Sequence, residues 1–513
     1  MGYISHPKII PDTVEERKYQ VAMAKDCLNA NTLIVLPTGL GKTIIALYTT
    51  AVILQEGKKV LLMAPTKPLV DQHASVFSGF LAGARIGVMN GLMNPETRKK
   101  ITDNNDLVVS TPQCVANDLE NKLYGMGDFG LVIYDEAHRG TGNYAYVTVA
   151  GHCTRENRSV GLTASPGSDI KKVEEVCRNL GFLRIDVRTE NDPDVAPYIH
   201  ETYVKKIEVN MPKELLDIID VLKKLLDHYF IELTGLRLTK ENWPPSTTHM
   251  LMIGDTLQKR LRRGERSATL YRGLTVQSIC IKILHAVNLA ETQGMSSLRS
   301  YMIKLTEEAQ TQKGNKGGKE LAVRKEFLDA WDMVSGSKVE HPKVSKLMSL
   351  VSQILNSDPS SKVMVFTQYR DTCDILVEKL SSIDGANVGK LIGQSNGGLR
   401  QKEQIGILEE FRSGIRNVIV ATSVGEEGLD VASTNAVIFY EPVPSEIRTI
   451  QRRGRTGRKN DGEVFVLIAK GTMDEVFESS SRKKEDQMRS RLERLNRELL
   501  LSVKEDQRKL RDF

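Results

Sequence analysis

The sequence predicts an α/β protein: two doubly wound parallel-sheet domains with an all-helical insertion domain between them. Three observations carry that expectation. Apolar runs of strand length recur over residues 31–165 and again over 362–469. Helix-length polar-apolar segments separate them, the rhythm of a sheet with helices on both faces. Between the two blocks the rhythm stops, and apolar residues recur at helical spacing instead.

The first block reads NTLIVLP (31–37), KVLLMAP (59–65), DLVVSTP (106–112), LVIYDEAH (131–138) and SVGLTAS (159–165). Each run ends in small or turn-forming residues, so functional side chains are expected at the C-terminal ends of parallel strands. The second block reads KVMVFTQ (362–368), NVIVATS (417–423), NAVIFYEP (435–442) and EVFVLIA (463–469). In the middle, Leu215, Leu216, Ile218, Ile219, Leu222, Leu225 and Leu226 mark a helix. The expected boundaries are 1–205 for the first domain, 206–338 for the helical insertion, 339–480 for the second domain and 481–513 for a charged tail. In that tail Met488, Leu492, Leu495, Leu499 and Val503 share one helical face. It reads as a helix packed on the second domain, a linker, or a helix for a partner.

Composition narrows the class. Of 513 residues 40% are hydrophobic and 27% charged, an ordinary globular balance suited to several domains. A net charge of +6 permits nucleic-acid binding through a local groove without establishing it. No uncharged apolar run reaches the ~18 residues of a membrane span, and MGYISHPKII lacks the pattern of a secretory signal. No membrane partner and a cytoplasmic location are therefore expected. The cysteines at 27, 114, 153, 177, 280 and 373 form no CxxC pair, so neither a zinc knuckle nor a disulfide framework is indicated.

The chemistry begins at LIVLPTGLGKT (33–43), an apolar strand, a glycine-rich turn and the opening of a helix. Pro37, Thr38, Gly39, Leu40 and Gly41 form a loop whose N–H groups can curve around a polyphosphate at a helix N-terminus. Lys42 would reach the β- and γ-phosphates, and Thr43 would offer its hydroxyl to Mg²⁺. Leu36 stands where the strict pattern has a glycine. LVIYDEAH then delivers Asp135 and Glu136 at a strand end, Asp135 as a Mg²⁺ ligand through water and Glu136 to activate the attacking water. Far downstream, QRRGRTGR (451–458) alternates glycine with Arg452, Arg453, Arg455 and Arg458. That spacing suits guanidinium groups aimed at a γ-phosphate from the other domain, so hydrolysis would await domain closure.

PTGLGKT, APTKPLV, STPQ, DEAH, TAS, ATSVGEEGLDV and QRRGRTGR stand in the order and approximate spacing of superfamily-two helicases, which the chain resembles along nearly its whole length. TSVGEEGLD, YEPVPSEIRTIQRRGRTGR and GTMDEVFESSSRKKEDQM are similar to archaeal Hef proteins and their Fanconi-anaemia M-type relatives. The resemblance implies two RecA-like domains, ATP and Mg²⁺ as cofactors, and ATP-dependent movement on forked or branched DNA in repair. Replication clamps and nucleases are implied as partners, and 3′ to 5′ as the polarity. A location at the nucleoid is implied for an archaeal protein. No nuclease follows before Phe513, so cleavage is not implied.

The same resemblance assigns further residues. Tyr19 and Gln20 match the adenine-reading element, with Tyr19 equally readable as core. His138, Thr163 and Ser165 match positions that couple ATP state to nucleic-acid grip. Gly428 and Asp430 match second-domain nucleotide contacts, and Gln451 opens the arginine motif. Pro65, Thr66, Lys67, Thr111 and Pro112 match the nucleic-acid track of the first domain, and Thr367, Gln368, Tyr369, Thr422 and Ser423 that of the second. KRLRRGER (259–266) and Arg237 are candidates for substrate grip, though a solvated helix face explains a basic cluster equally well. Two other readings remain: a double-stranded-RNA-activated ATPase of the RIG-I type, and a nucleic-acid clamp that hydrolyses ATP without separating strands.

Overall fold

The computed structural model describes residues 2–509, apart from 165, 168, 190–191, 199–201, 241, 312–314, 394–397, 423–433 and 443–461. Its first sheet holds β1 (Thr32–Val35), β2 (Lys59–Met63), β3 (Ile86–Met89), β4 (Leu107–Ser110), β5 (Phe129–Asp135), β6 (Arg158–Thr163) and β7 (Arg184–Val187). The order is β3-β4-β2-β5-β6-β1-β7, and every pairing is parallel. Successive residues of a strand enter different cores. Ile34, Leu62 and Ile133 pack into one cluster, and Leu33, Leu61 and Val132 into another. Burial on both faces is why these strands read as continuous apolar runs.

Helices α1 (Lys18–Asn29), α2 (Lys42–Gln55), α3 (Lys67–Phe80), α4 (Pro95–Asn104), α5 (Pro112–Glu120), α6 (Ala145–Gly151) and α7 (Ile170–Leu180) complete this domain. Proline in the first turn of α3, α4 and α5 presets the backbone angle where an N–H has no helical partner. Chain reversal at those strand ends is therefore written locally.

The insertion is a bundle of α8 (Lys213–Gly235), α9 (Thr247–Arg262), α10 (Ala268–Thr292), α11 (Met295–Gln310), α12 (Lys316–Ala322) and α13 (Lys325–Gly336). It has its own core, including Leu222, Tyr229, Ile253, Ile279 and Met302. By length and composition α10 alone among the described helices could cross a membrane. Here it is the central helix of the bundle, and Arg272 on it reaches Glu232 of α8 and Glu320 of α12.

The second sheet contains β8 (Thr202–Val209), β9 (Val363–Phe366), β10 (Val388–Leu391), β11 (Val418–Ala421), β12 (Ala436–Phe439) and β13 (Gly462–Ala469) in the order β10-β11-β9-β12-β13-β8, again all parallel. Helices α14 (Pro342–Ser357), α15 (Arg370–Ser381) and α16 (Gln401–Ser413) flank it. β8 corrects the expected division at 205/206. Residues 202–209 pair with β13 from Thr202↔Gly462 to Val209↔Ala469, so the chain enters the second sheet before it builds the bundle.

Buried polar contacts fasten the bundle to this domain. Glu291 of α10 accepts the Met473 N–H at 2.9 Å and pairs with Lys223 of α8. Lys343 and Asp474 form a fully buried ion pair at 2.7 Å. The last helix, α17 (Met473–Lys509), starts at that pair and runs back to the first domain. Leu492 and Leu495 are buried in the core cluster that holds Leu180, Phe182 and Ile185, with Leu499 packed beside them. The expectation of a tail packed on the second domain is therefore corrected: the amphipathic face lands on β7 and α7. The side chains of Met488 and Val503 lie outside the described residues.

Candidate functional site

The loop between β1 and α2 is shaped for a phosphate chain. Gly39 and Gly41 hold φ of +91° and +80°, a region that side chains with a Cβ rarely enter. A methyl group at Gly41 would also collide with the Gln20 amide. Gly41 is the N-cap of α2, so the first N–H groups of that helix follow directly. The Lys42 ammonium donates to the Leu36 carbonyl at 2.9 Å, folding back over the loop. Pro37, Thr38 and Thr43 are half-buried around it, while Leu40 is buried.

Tyr19 and Gln20 of α1 support the loop from behind. The Tyr19 hydroxyl and the Gln20 amide both donate to the Leu40 carbonyl, at 2.7 and 3.0 Å. Tyr19 is wholly buried, so its visible task is to buttress the loop. Gln20 is also buried, with its amide turned to the loop.

β5 ends at Asp135, separated from β1 only by β6. Burial resists ionisation of Asp135, yet the His73 ring and the Lys42 ammonium outweigh it and hold the carboxyl below the ordinary carboxylate range. The next residue, Glu136, turns into the left-handed region at φ +48°. Its buried Oε2 has no hydrogen-bond partner among the described residues and lies 3.3 Å from His138 Nδ1.

His138 Nδ1 lies 3.0 Å from the Thr163 hydroxyl at the end of β6. The Thr163 carbonyl in turn accepts the Leu36 N–H at 3.0 Å. One residue thereby touches both the phosphate loop and the DEAH turn. Ser165, its companion, lies outside the described residues.

Sequence reasoning missed two members of this site. His73 of α3 places Nε2 2.9 Å from Asp135 Oδ2, and the Tyr146 hydroxyl of α6 donates to the Asp135 carbonyl. A signal for His73 existed: it shares the buried face of α3 with Val70, Ala74 and Phe77, where an imidazole needs a polar partner. Tyr146 had no comparable signal.

Oxygen donors at a buried carboxylate and a helix-start hydroxyl suit Mg²⁺, which characteristically takes one or two protein ligands beside phosphates. Thr43 and Asp135 would hold it. No cluster of three or more metal-ligating side chains exists among the described residues.

The proposed track divides. Thr66 and Thr111 are the N-caps of α3 and α5, and neither side chain caps its own helix. Thr66 and Lys67 are exposed, Pro65 and Thr111 half-buried and Pro112 buried. In the second domain Tyr369 is the N-cap of α15, and its hydroxyl accepts from Asn288 of the bundle at 3.0 Å. Gln368 donates to the Pro442 carbonyl. Thr367 and Thr422 are buried, Thr367 with its hydroxyl against Glu441, so any contact there falls to backbone. Ser423, Gly428, Asp430, Gln451, Arg452, Arg453, Arg455 and Arg458 lie outside the described residues.

Family models match three segments: the res subunit of type III restriction enzymes over residues 13–168, an ATP-dependent RNA helicase helical bundle over 214–341, and the helicase conserved C-terminal domain over 343–460. The chain is 38% identical over 499 residues to a Methanocaldococcus jannaschii protein named as an ATP-dependent RNA helicase, covering 96% of this chain and 63% of that one. It is 31% identical over 528 residues to the Fanconi anemia group M protein homolog of Mus musculus, covering 93% and 26%. It is 31% identical over 484 residues to the ATP-dependent DNA helicase mph1 of Neurospora crassa, covering 90% and 41%. The chain thus spans between 26% and 63% of the length of these relatives. The crystal structure of the Pyrococcus furiosus Hef helicase domain matches with a TM-score of 0.71 at 39% identity, over 93% of this chain and 100% of that one. With two parallel sheets, a helical bundle between them and a phosphate loop facing a DEAH turn, the chain belongs to the superfamily-two helicases of the Hef and Fanconi anemia group M type, as their ATP-dependent helicase region.

Proposed function

We propose that this chain uses ATP hydrolysis to move along and remodel forked or branched DNA in repair. The observation that carries the reading is the double attachment of Thr163, to Leu36 of the phosphate loop and to His138 beside the water-activating Glu136. A site that only bound nucleotide would have no need to tie its phosphate loop to the turn that handles the attacking water.

In this reading Lys42 grips the β- and γ-phosphates, and Asp135 and Thr43 hold Mg²⁺, which supplies positive charge against the phosphate oxygens. Glu136 orients the water and takes its proton. Arg455 and Arg458 bring positive charge from the second domain, Gln451 senses the same nucleotide, Gly428 and Asp430 contact it, and Gln20 reads the adenine edge once its amide leaves the Leu40 carbonyl. Thr66, Lys67 and Thr111 face phosphates of one strand with hydroxyl, ammonium and free helix-start N–H groups, which recognise backbone without reading bases. The second domain does so through backbone at Thr367, Gln368 and Thr422, and Ser423, which follows Thr422 in sequence, is proposed to join them. The ATP cycle then alternates the grip of the two domains.

DNA is favoured over RNA by relatives named as DNA helicases across at least 90% of the chain. The Methanocaldococcus jannaschii relative, named for RNA, supports the second reading. A labelled fork, a blunt duplex and a double-stranded RNA, each assayed for ATPase stimulation and strand displacement, decide between them. The proposal requires the fork to stimulate most and to be displaced. Stimulation by RNA alone overturns it, and stimulation by DNA without displacement makes the chain a clamp or pure translocase.

A further inference from the structure

Where α8 gives way to α9, the bundle opens a cavity of about 320 Å³, within the size range of small-ligand sites. Its apolar wall includes Trp243 and Met252, and its rim carries Arg237 and Lys240. Among the described residues no acidic side chain lines it. Nothing in the motor cycle described above uses it.

Trp243 is presented rather than packed away. It is 42% exposed, and Met252 on the first turns of α9 is 56% exposed. The ring is backed by His249, 4.5 Å away between centroids. His249 is itself buried, with Nε2 3.0 Å from the Thr239 hydroxyl and Nδ1 3.2 Å from the Pro244 carbonyl. An immobilised imidazole therefore braces one side of an indole whose other side meets solvent. Such preorganisation lowers the ordering cost of stacking a flat ligand.

The two cations differ from others of the bundle. Lys259 pairs with Asp255, Arg260 with Glu265, and Arg272 with Glu232 and Glu320. Arg237 and Lys240 are exposed, and neither meets a carboxylate among the described residues. Arg237 is also held at φ +55°, a costly conformation for a residue with a Cβ. An apolar peptide would fill the cavity but bring no counter-charge to either cation. A nucleotide satisfies both halves, its base against the indole and its phosphate against the rim.

Resting on the reading of this chain as a DNA translocase, we propose that the Trp243 cavity receives an unpaired nucleobase of the DNA, with the adjoining phosphate on Arg237 and Lys240. The bundle then marks the place where duplex gives way to single strand, which a grip on phosphates alone cannot do.

The test uses the full chain and a fork with one 2-aminopurine in the unpaired arm next to the junction, beside a blunt duplex of the same length. Trp243→Ala should lose the stacking quench of 2-aminopurine and bind the fork about tenfold more weakly, the size of one base–aromatic stack. Trp243→Phe should keep most of both, and Arg237→Gln should weaken fork binding while preserving the quench at saturation. Blunt-duplex affinity should stay unchanged throughout. Unaltered fork binding by Trp243→Ala, or an equal loss on the blunt duplex, overturns the pocket while leaving the translocase reading intact. Failure of the unsubstituted chain to bind either DNA overturns both.

Discussion

Nε2 of His73 lies 2.9 Å from Oδ2 of Asp135, with both side chains buried. The contact joins α3, whose N-cap is the track residue Thr66, to the carboxylate proposed to hold Mg²⁺. A rigid helix thus has one end at the proposed nucleic-acid track and its second turn at the carboxylate proposed for the metal. Replacing His73 with alanine should lower DNA-stimulated ATP turnover about 10- to 100-fold, the usual cost of losing a partner that orients a metal ligand. His73→Gln should recover part of it. Steady-state ATPase measured across a Mg²⁺ titration checks this, and unchanged turnover at every Mg²⁺ level would show that Asp135 needs no such support.

Thr163 makes a second, separable prediction. Thr163→Val keeps the backbone carbonyl that receives the Leu36 N–H but deletes the hydroxyl that meets His138. DNA-free hydrolysis should fall by no more than about tenfold, the scale of one lost hydrogen bond. Strand displacement per ATP consumed should fall much further. Parallel loss of both would make the hydroxyl part of the chemistry rather than of the coupling.

Lys42→Ala should abolish ATP hydrolysis while DNA binding survives, measured by phosphate release and by anisotropy with a labelled fork. Arg458→Ala should reduce turnover on the order of 10³-fold with nucleotide still bound, as for other arginine fingers. A fall in nucleotide affinity alone would make Arg458 a binding residue and move the finger role to Arg455.

Stability should depend on pH through β7. Asp186 is buried, and its carboxyl meets the Arg188 guanidinium at 2.7 Å. Burial, opposed by Arg188 and reinforced by the neighbouring Asp26, pushes that carboxyl up to about 6. An unfolded chain releases the same proton near pH ~3.9. The folded state therefore holds more protons between those values, and stability falls as pH rises from about 4 to about 6 and is flat above. Asp186→Asn should exceed the parent by on the order of 2 kcal/mol at pH 8 and converge with it near pH 4, from urea midpoints. Arg188 keeps Asp194 as a partner in the variant.

The central strands were legible because burial on both faces leaves an uninterrupted apolar word, as in Leu131, Val132 and Ile133. β8 was not. Thr202–Val209 is an edge strand with Val204 exposed and lysines at 205 and 206, so it reads as an ordinary surface stretch. The phosphate loop and DEAH turn were legible because their chemistry is local in sequence. His73 acts on a residue 62 positions away, which no local spacing encodes. The amphipathic face of α17 announced that something covers it, but Leu492 and Leu495 do not say what. The burial of Thr367 and Thr422 was equally hidden, since a threonine at a strand end looks the same whether it faces solvent or a neighbouring strand.

The landing of α17 has a consequence for solubility. β7 is the outermost strand of its sheet, and the Asn496 side chain accepts its Ile185 N–H at 2.9 Å. Leu492 and Leu495 cover the apolar surface alongside. Remove that helix and the rim becomes a template on which a strand from another molecule can add. A chain cut after residue 480 should scatter light and elute in oligomers at concentrations where the parent does not, through exposure of a ladder it normally keeps shut.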